Sequence, residues 1–96
     1  MRISKDKLTF LSQQIKPLLS NCKLYLFGSK VDDNKKGGDI DILILSERKL
    51  TLSEKLKIKR QFYNKYGEQK IDLVNFTFNE EDSFKSLILS EPNIEF

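Results

Sequence analysis

The sequence predicts an α/β fold, in which a small mixed sheet is flanked by helices. Three observations predict it. Apolar residues recur at helical spacing in the first twenty residues and again between residues 52 and 66. Short apolar runs over residues 24–27, 39–45 and 71–76 have the length of strands covered on both faces. The two kinds of segment alternate in the order αβ(turn)βαβα, which is typical of a layered α/β domain.

The predicted helices have recognisable ends. The first spans residues 4–20 and is expected to bend at Pro17. Thr51 and Glu54 have the spacing of a capping box, so the second helix begins there, and it stops at Gly67, a residue suited to a C-terminal cap. Its apolar positions are Leu52, Leu56, Phe62, Tyr63 and Tyr66.

The rest of the chain is assigned to strands, one polar loop and a last helix. Gly28 and Ser29 end the first strand, and residues 30–38 are predicted to be a polar turn or loop. Asn79 with Asp82 opens the last helix, which carries Phe84, Leu87 and Ile88.

Composition limits the function classes. The 96 residues predict a single domain over 1–96, without a signal peptide or an apolar run long enough for a membrane helix. Cys22 is the one cysteine, so no internal disulfide forms and a cytoplasmic location is expected. Histidine is absent, which excludes Ser-His-Asp triads and His-ligated zinc. The net charge of +3 is too small to predict direct nucleic-acid binding.

Three aspartates lie in strands that otherwise look like core. Asp39 and Asp41 are two residues apart, so they share one face of their strand, and Asp72 lies in the third strand. They could reach solvent at the strand ends or pair with Lys and Arg. However, two carboxylates about 4 Å apart repel by about 4 kcal/mol at an effective dielectric of about 20. A cation would remove this repulsion, and an all-oxygen site favours Mg²⁺ or Mn²⁺.

Gly28 and Ser29 follow directly after a buried strand. A glycine there lets the backbone turn sharply and lets a phosphate approach, with the Ser29 hydroxyl as an added donor. Taken alone, the pair equally suits an ordinary turn. The sequence contains no Walker P-loop and no Gly-x-Gly-x-x-Gly motif, which disfavours P-loop and dinucleotide-binding proteins.

The combination of these motifs resembles a known family. Leu26-Phe27-Gly28-Ser29, followed by Gly37-Gly38-Asp39-Ile40-Asp41-Ile42-Leu43-Ile44, is similar to the signature of minimal nucleotidyltransferases of the DNA polymerase beta superfamily. These small proteins are often encoded beside HEPN-domain toxins. The resemblance runs from Leu24 to about Phe76 and implies the polymerase-beta-type nucleotidyltransferase fold.

The resemblance also implies residue roles. Gly28 and Ser29, with Lys30, would hold the phosphates of ATP, although many relatives carry Arg at the position of Lys30. Asp39, Asp41 and Asp72 would be the catalytic residues and would bind two Mg²⁺ ions, with Asp72 positioning the acceptor hydroxyl. The reaction would be two-metal phosphoryl transfer.

The sequence says less about the acceptor, the molecule that receives the nucleotide. Larger relatives carry an acceptor-binding domain that this chain lacks, so we expect another protein or a second copy to hold the acceptor. The most concrete expectation is an antitoxin that transfers AMP to a HEPN-domain ribonuclease toxin in a hetero-oligomer. Two alternatives remain open: a binding module that inhibits its partner by contact alone, and nucleotidyl transfer to a small molecule.

Overall fold

The elements follow one another in nearly the predicted order. A computed structural model of the chain describes residues 3–28, residue 31 and residues 38–96. The elements are α1 (Lys5–Ile15), a 3₁₀ turn (Lys16–Leu18), β1 (Cys22–Phe27), β2 (Ile40–Ser46), α2 (Leu52–Tyr66), β3 (Ile71–Thr77), α3 (Ser83–Ser90) and β4 (Ile94–Glu95).

The four strands form one mixed sheet in the order β3-β2-β1-β4. β1 pairs with β2 and β4 in antiparallel orientation, whereas β2 and β3 are parallel. A parallel pair needs a crossover connection, and α2 provides it. The predicted α/β class with a small mixed sheet is therefore confirmed.

The helix ends follow the capping chemistry of the sequence. The Thr51 hydroxyl accepts a hydrogen bond from Glu54 N at 3.1 Å, and the Glu54 carboxylate accepts one from Thr51 N at 2.9 Å. The predicted capping box is thus confirmed, and Gly67 caps the other end of α2 with φ of +88°. Asp82 caps α3 by accepting from two backbone N–H groups.

The first helix is shorter than predicted. Its α-helical part ends at Ile15, and the predicted continuation to residue 20 is wrong. Pro17 has no N–H to donate to the helix, so the chain tightens into the 3₁₀ turn instead of bending as one helix.

The sheet separates two apolar layers of unequal thickness. One face is covered by α1 and α2, and its buried residues include Leu24, Leu26, Ile42, Phe62 and Leu11. The other face packs against α3, which contributes only Ile88 to the buried set. Partly buried side chains complete this second layer: Tyr25, Phe27, Val74, Phe76 and Phe78.

Two features of the elements were not anticipated. The sequence did not predict β4, which forms an edge of the sheet. The apolar face predicted for α2 is also wrong in part, because Leu52, Leu56 and Tyr63 are exposed and the helix buries Ile58 and Phe62. Within the described residues, no helix is both long and apolar enough to cross a membrane.

Candidate active site

The strand register brings two of the predicted carboxylates together. Asp41 in β2 is the parallel partner of Asp72 in β3, and Phe27 at the end of β1 is the antiparallel partner of Asp41. Asp39 precedes β2, and the next residue, Ile40, donates its N–H to Lys70 O at 3.0 Å. The three aspartates therefore lie at one end of the sheet, as the sequence predicts.

Gly28 follows β1, and its backbone lies close to the Asp41 side chain. Its φ is +78°, a backbone conformation that residues with a Cβ rarely adopt. A Cβ built at this position would collide with the Asp41 carboxylate. Gly28 is therefore required both by the turn after β1 and by the close approach of the backbone to Asp41.

Asp41 is the carboxyl group most affected by its surroundings. Burial raises the pKa of Asp41 to about 6, and the charge of Asp72, a hydrogen bond with Asp72 and the charge of Asp39 act in the same direction. Lys70 acts in the opposite direction. The metal-free site thus contains more negative charge than its surroundings neutralise, which is a property of sites that bind cations.

Lys70 is a site residue that the sequence analysis missed. Its Nζ lies 3.6 Å from Asp39 Oδ2 and 4.0 Å from Asp72 Oδ2. It therefore serves as the counter-ion of the cluster in the metal-free protein. The signal was available, because Lys70 precedes Asp72 by two residues and alternate residues of an extended segment share a side.

The donor set suits a hard divalent cation, but the side chains are not arranged around one. Among the residues that the structure describes, no group of three or more acidic, cysteine or histidine side chains is assembled to hold a metal ion. The groups at this end of the sheet offer carboxylate oxygen only, which is the chemistry that Mg²⁺ prefers. The mutual repulsion at Asp41 and the lysine counter-ion indicate where a cation is needed.

The remaining predicted residues cannot be placed. Ser29 and Lys30 lie outside the described residues, as do residues 32–37 of the predicted polar loop. Their assignment to ATP phosphates stays a prediction. Of the predicted phosphate-binding residues, Gly28 is the one that lies within the described part of the chain, beside Asp41.

Comparisons with known proteins concern both sequence and fold. The family model described as polymerase beta, nucleotidyltransferase, matches residues 13–94. Curated proteins give no match. Among solved structures, a mutant MntA–HpeT toxin–antitoxin complex is similar with a TM-score of 0.69 and 19% identity, covering 98% of this chain and 72% of that chain.

Two further solved structures are similar. One from Shewanella oneidensis has a TM-score of 0.67 and 15% identity, covering 97% of this chain and 71% of that chain. The other contains a tri-AMPylated Shewanella oneidensis HEPN toxin in complex with an MNT antitoxin. Its TM-score is 0.60 at 15% identity, with 93% of this chain and 70% of that chain covered.

Proposed function

Because the chain belongs to the polymerase beta nucleotidyltransferase family, we propose that it transfers AMP from ATP to a hydroxyl group of a HEPN-domain toxin and so acts as the antitoxin. The observation that carries the proposal is the pairing of Asp41 with Asp72, beside Asp39 and Gly28, at one end of the sheet. The similar complex that contains a tri-AMPylated HEPN toxin supports the choice of nucleotide and partner. The reaction takes place in the cytoplasm.

In this proposal the three aspartates hold two Mg²⁺ ions. When bound, the ions neutralise phosphate charge and lower the barrier to phosphoryl transfer. Asp39, Asp41 and Asp72 would hold the ions, and Asp72 would also orient the acceptor hydroxyl. Binding requires that Lys70 leave its present ion pairs with Asp39 and Asp72.

The covalent step replaces a phosphoanhydride bond of ATP by a phosphoester bond to the acceptor. The acceptor oxygen forms a bond with the α-phosphorus of ATP, and the bond from that phosphorus to the bridging oxygen of the leaving pyrophosphate breaks. The hydroxyl proton passes to Asp72 and then to solvent. Gly28 and Ser29, with Lys30, hold the β- and γ-phosphates, so the α-phosphorus is presented to the acceptor.

The modification would inactivate the toxin by charge and bulk. An added adenylyl group carries a negative phosphate, which repels the RNA backbone near the toxin's active site. Intact-mass measurement of the partner tests this proposal. After incubation with ATP and Mg²⁺, we expect the partner to gain one or more AMP units and to stay inhibited once the two proteins are separated.

One observation favours a second function, in which the chain inhibits its partner by contact alone. Lys70 lies within ion-pair distance of Asp39 and Asp72, so these carboxylates have a counter-ion within the protein itself. An Asp39→Asn/Asp41→Asn double variant separates the two functions. Full inhibition by this variant, with an unmodified partner mass, would replace the proposed transfer by contact inhibition.

A further inference from the structure

An apolar surface begins directly beside the carboxylates. Phe27 is the cross-strand partner of Asp41, so the two side chains lie next to each other on the same face of the sheet. The Phe27 ring also contacts Phe84 of α3 edge to face, with 6.2 Å between the ring centroids. Leu87 is one helical turn further along α3. We refer to Phe27, Phe84 and Leu87 as the α3 shelf.

The α3 shelf is more open to solvent than apolar side chains next to a core usually are. Phe84 is 46% exposed and Leu87 is 53% exposed, while α3 buries only Ile88. Single exposed apolar residues are common on protein surfaces. Here they are contiguous with one another and with the carboxylate end of the sheet, which is where an acceptor must approach.

The segment that contains α3 is acidic, although the chain as a whole carries a net charge of +3. Residues 79–96 contain one basic side chain, Lys85, whose Nζ donates to the carbonyl oxygens of Thr77, Phe78 and Glu80. The same residues contain five acidic side chains, of which Glu80 pairs with Lys49 and the others are Glu81, Asp82, Glu91 and Glu95. Phe84 and Leu87 of the α3 shelf therefore lie within an acidic segment.

We propose that the α3 shelf is the docking surface for the acceptor, and that the acceptor is a protein surface with apolar anchor side chains surrounded by basic residues. This inference rests on the proposed function and specifies its substrate class. The acidic segment repels a polynucleotide. A small polar acceptor such as a sugar would leave most of the α3 shelf uncovered. The cationic surface of a protein that binds RNA complements both the charge and the apolar patch.

The chain offers a matched pair of variants for the experiment. Leu87 on α3 is 53% exposed and Leu56 on α2 is 55% exposed, but α2 covers the opposite face of the sheet. Leu87→Lys and Leu56→Lys therefore introduce the same charge at equally exposed helical positions. The substrate is a HEPN-domain toxin, the partner class of the proposed function, with ATP labelled in the α-phosphate and Mg²⁺.

Leu87→Lys is expected to lower kcat/KM for labelling of the HEPN protein by at least about tenfold, as loss of an interface anchor does. Leu56→Lys is expected to label at the parent rate. Thermal stabilisation by ATP with Mg²⁺ should be the same in both variants and the parent, which shows that the fold and the nucleotide site are intact. Phe84→Ser should follow Leu87→Lys.

Two results would overturn the inference while leaving the proposed function in place. They are a parent-like rate of labelling by both Leu87→Lys and Phe84→Ser, and a loss of labelling in Leu56→Lys alone. A parent protein that stabilises with ATP and Mg²⁺ but neither binds nor labels the HEPN protein would instead overturn the proposed function, and the acceptor surface with it.

Discussion

Asp41 is the aspartate of the site whose pKa is changed most by its surroundings. Its pKa rises from 3.8 to about 6 because of burial first, and then because of Asp72 and Asp39. The folded protein therefore binds this proton more tightly than the unfolded chain does. The resulting stabilisation is complete below pH 3.8 and is lost as the pH rises through 6.

Asp41 should consequently stabilise the folded protein less at pH 7.5 than at pH 4.5. A shift of about two pKa units corresponds to at most about 3 kcal/mol, and the partial exposure of Asp41 reduces this to about 1 kcal/mol. Urea unfolding in EDTA at the two pH values measures this difference in unfolding free energy. The Glu54 carboxyl, whose pKa is lowered from 4.5 to about 2 mainly by its hydrogen bond with Arg48, acts in the opposite direction, because the unfolded chain partly binds that proton at pH 4.5. Asp41→Asn is the control, and parallel pH profiles of variant and parent would contradict the account.

Substitutions at Gly28 and Gly67 separate the effect of backbone strain from the effect of a steric conflict. Gly28 and Gly67 both have positive φ, but a Cβ would meet Asp41 at Gly28 and nothing within 4 Å at Gly67. We expect Gly28→Ala and Gly67→Ala each to lose about 1–3 kcal/mol of unfolding free energy from strain. Only Gly28→Ala should also weaken binding of ATP with Mg²⁺, because it displaces the Asp41 side chain. Equal affinity in the two variants would show that the position of Asp41 does not matter for binding.

Most residues of the candidate site could be predicted from the sequence. Alternation in strands placed Asp39 and Asp41 on one side, and the register confirms that Asp41 lies beside Asp72. The contact of Lys70 with Asp72 follows from the same alternation, but its ion pair with Asp39 does not. That pair depends on how β2 and β3 are aligned, and a sequence pattern within one strand does not determine its partner's register.

At the scale of elements, α2 shows why periodicity alone misassigned a buried face. Leu52, Leu56 and Tyr63 form one stripe along the helix, and Ile58 and Phe62 form another, about 120° away at 100° per residue. Both stripes have helical spacing, so the sequence does not decide which one faces the sheet. Leu52 is 73% exposed in the structure, whereas Phe62 is fully buried.

The two stripes should differ sharply in their effect on stability. Ile58→Ala removes a buried side chain and leaves a cavity, so we expect a loss of about 2–5 kcal/mol of unfolding free energy. Leu56→Ala, on the exposed stripe, should change it by less than about 0.5 kcal/mol. Chemical denaturation of the two variants beside the parent decides this. A comparable loss in both would mean that Leu56 is buried in solution, by a partner copy or by a different helix orientation.

The short strand β4 and the break of α1 have different origins. β4 has only two residues, and its pairing with Tyr25 and Leu26 depends on contacts distant in sequence. No local pattern could predict it. The end of α1 at Ile15, in contrast, follows from the backbone chemistry of Pro17, which the sequence already contained.

Across the whole molecule, the two sides of the sheet differ in charge and in cover. α2 contains five basic residues, and its one acidic residue, Glu54, pairs with Arg48. Residues 79–96, which include α3 and the edge strand β4, contain five acidic residues and one lysine. The sheet face that carries Asp41 and Asp72 is also the one that packs against the short helix α3. We therefore expect a partner protein to meet the chain on the α3 side, where catalysis is proposed, with α2 facing away.

The central claim is that Asp39, Asp41 and Asp72 form a site for Mg²⁺ and a nucleotide. The most direct measurement is the melting temperature with and without Mg²⁺ and ATP, because a ligand that binds only the folded state raises it by mass action. We predict a rise in the parent and none in an Asp39→Asn/Asp41→Asn variant, whose metal-free form should be at least as stable as the parent. Equal rises in variant and parent would place the ion and the nucleotide elsewhere and contradict the account.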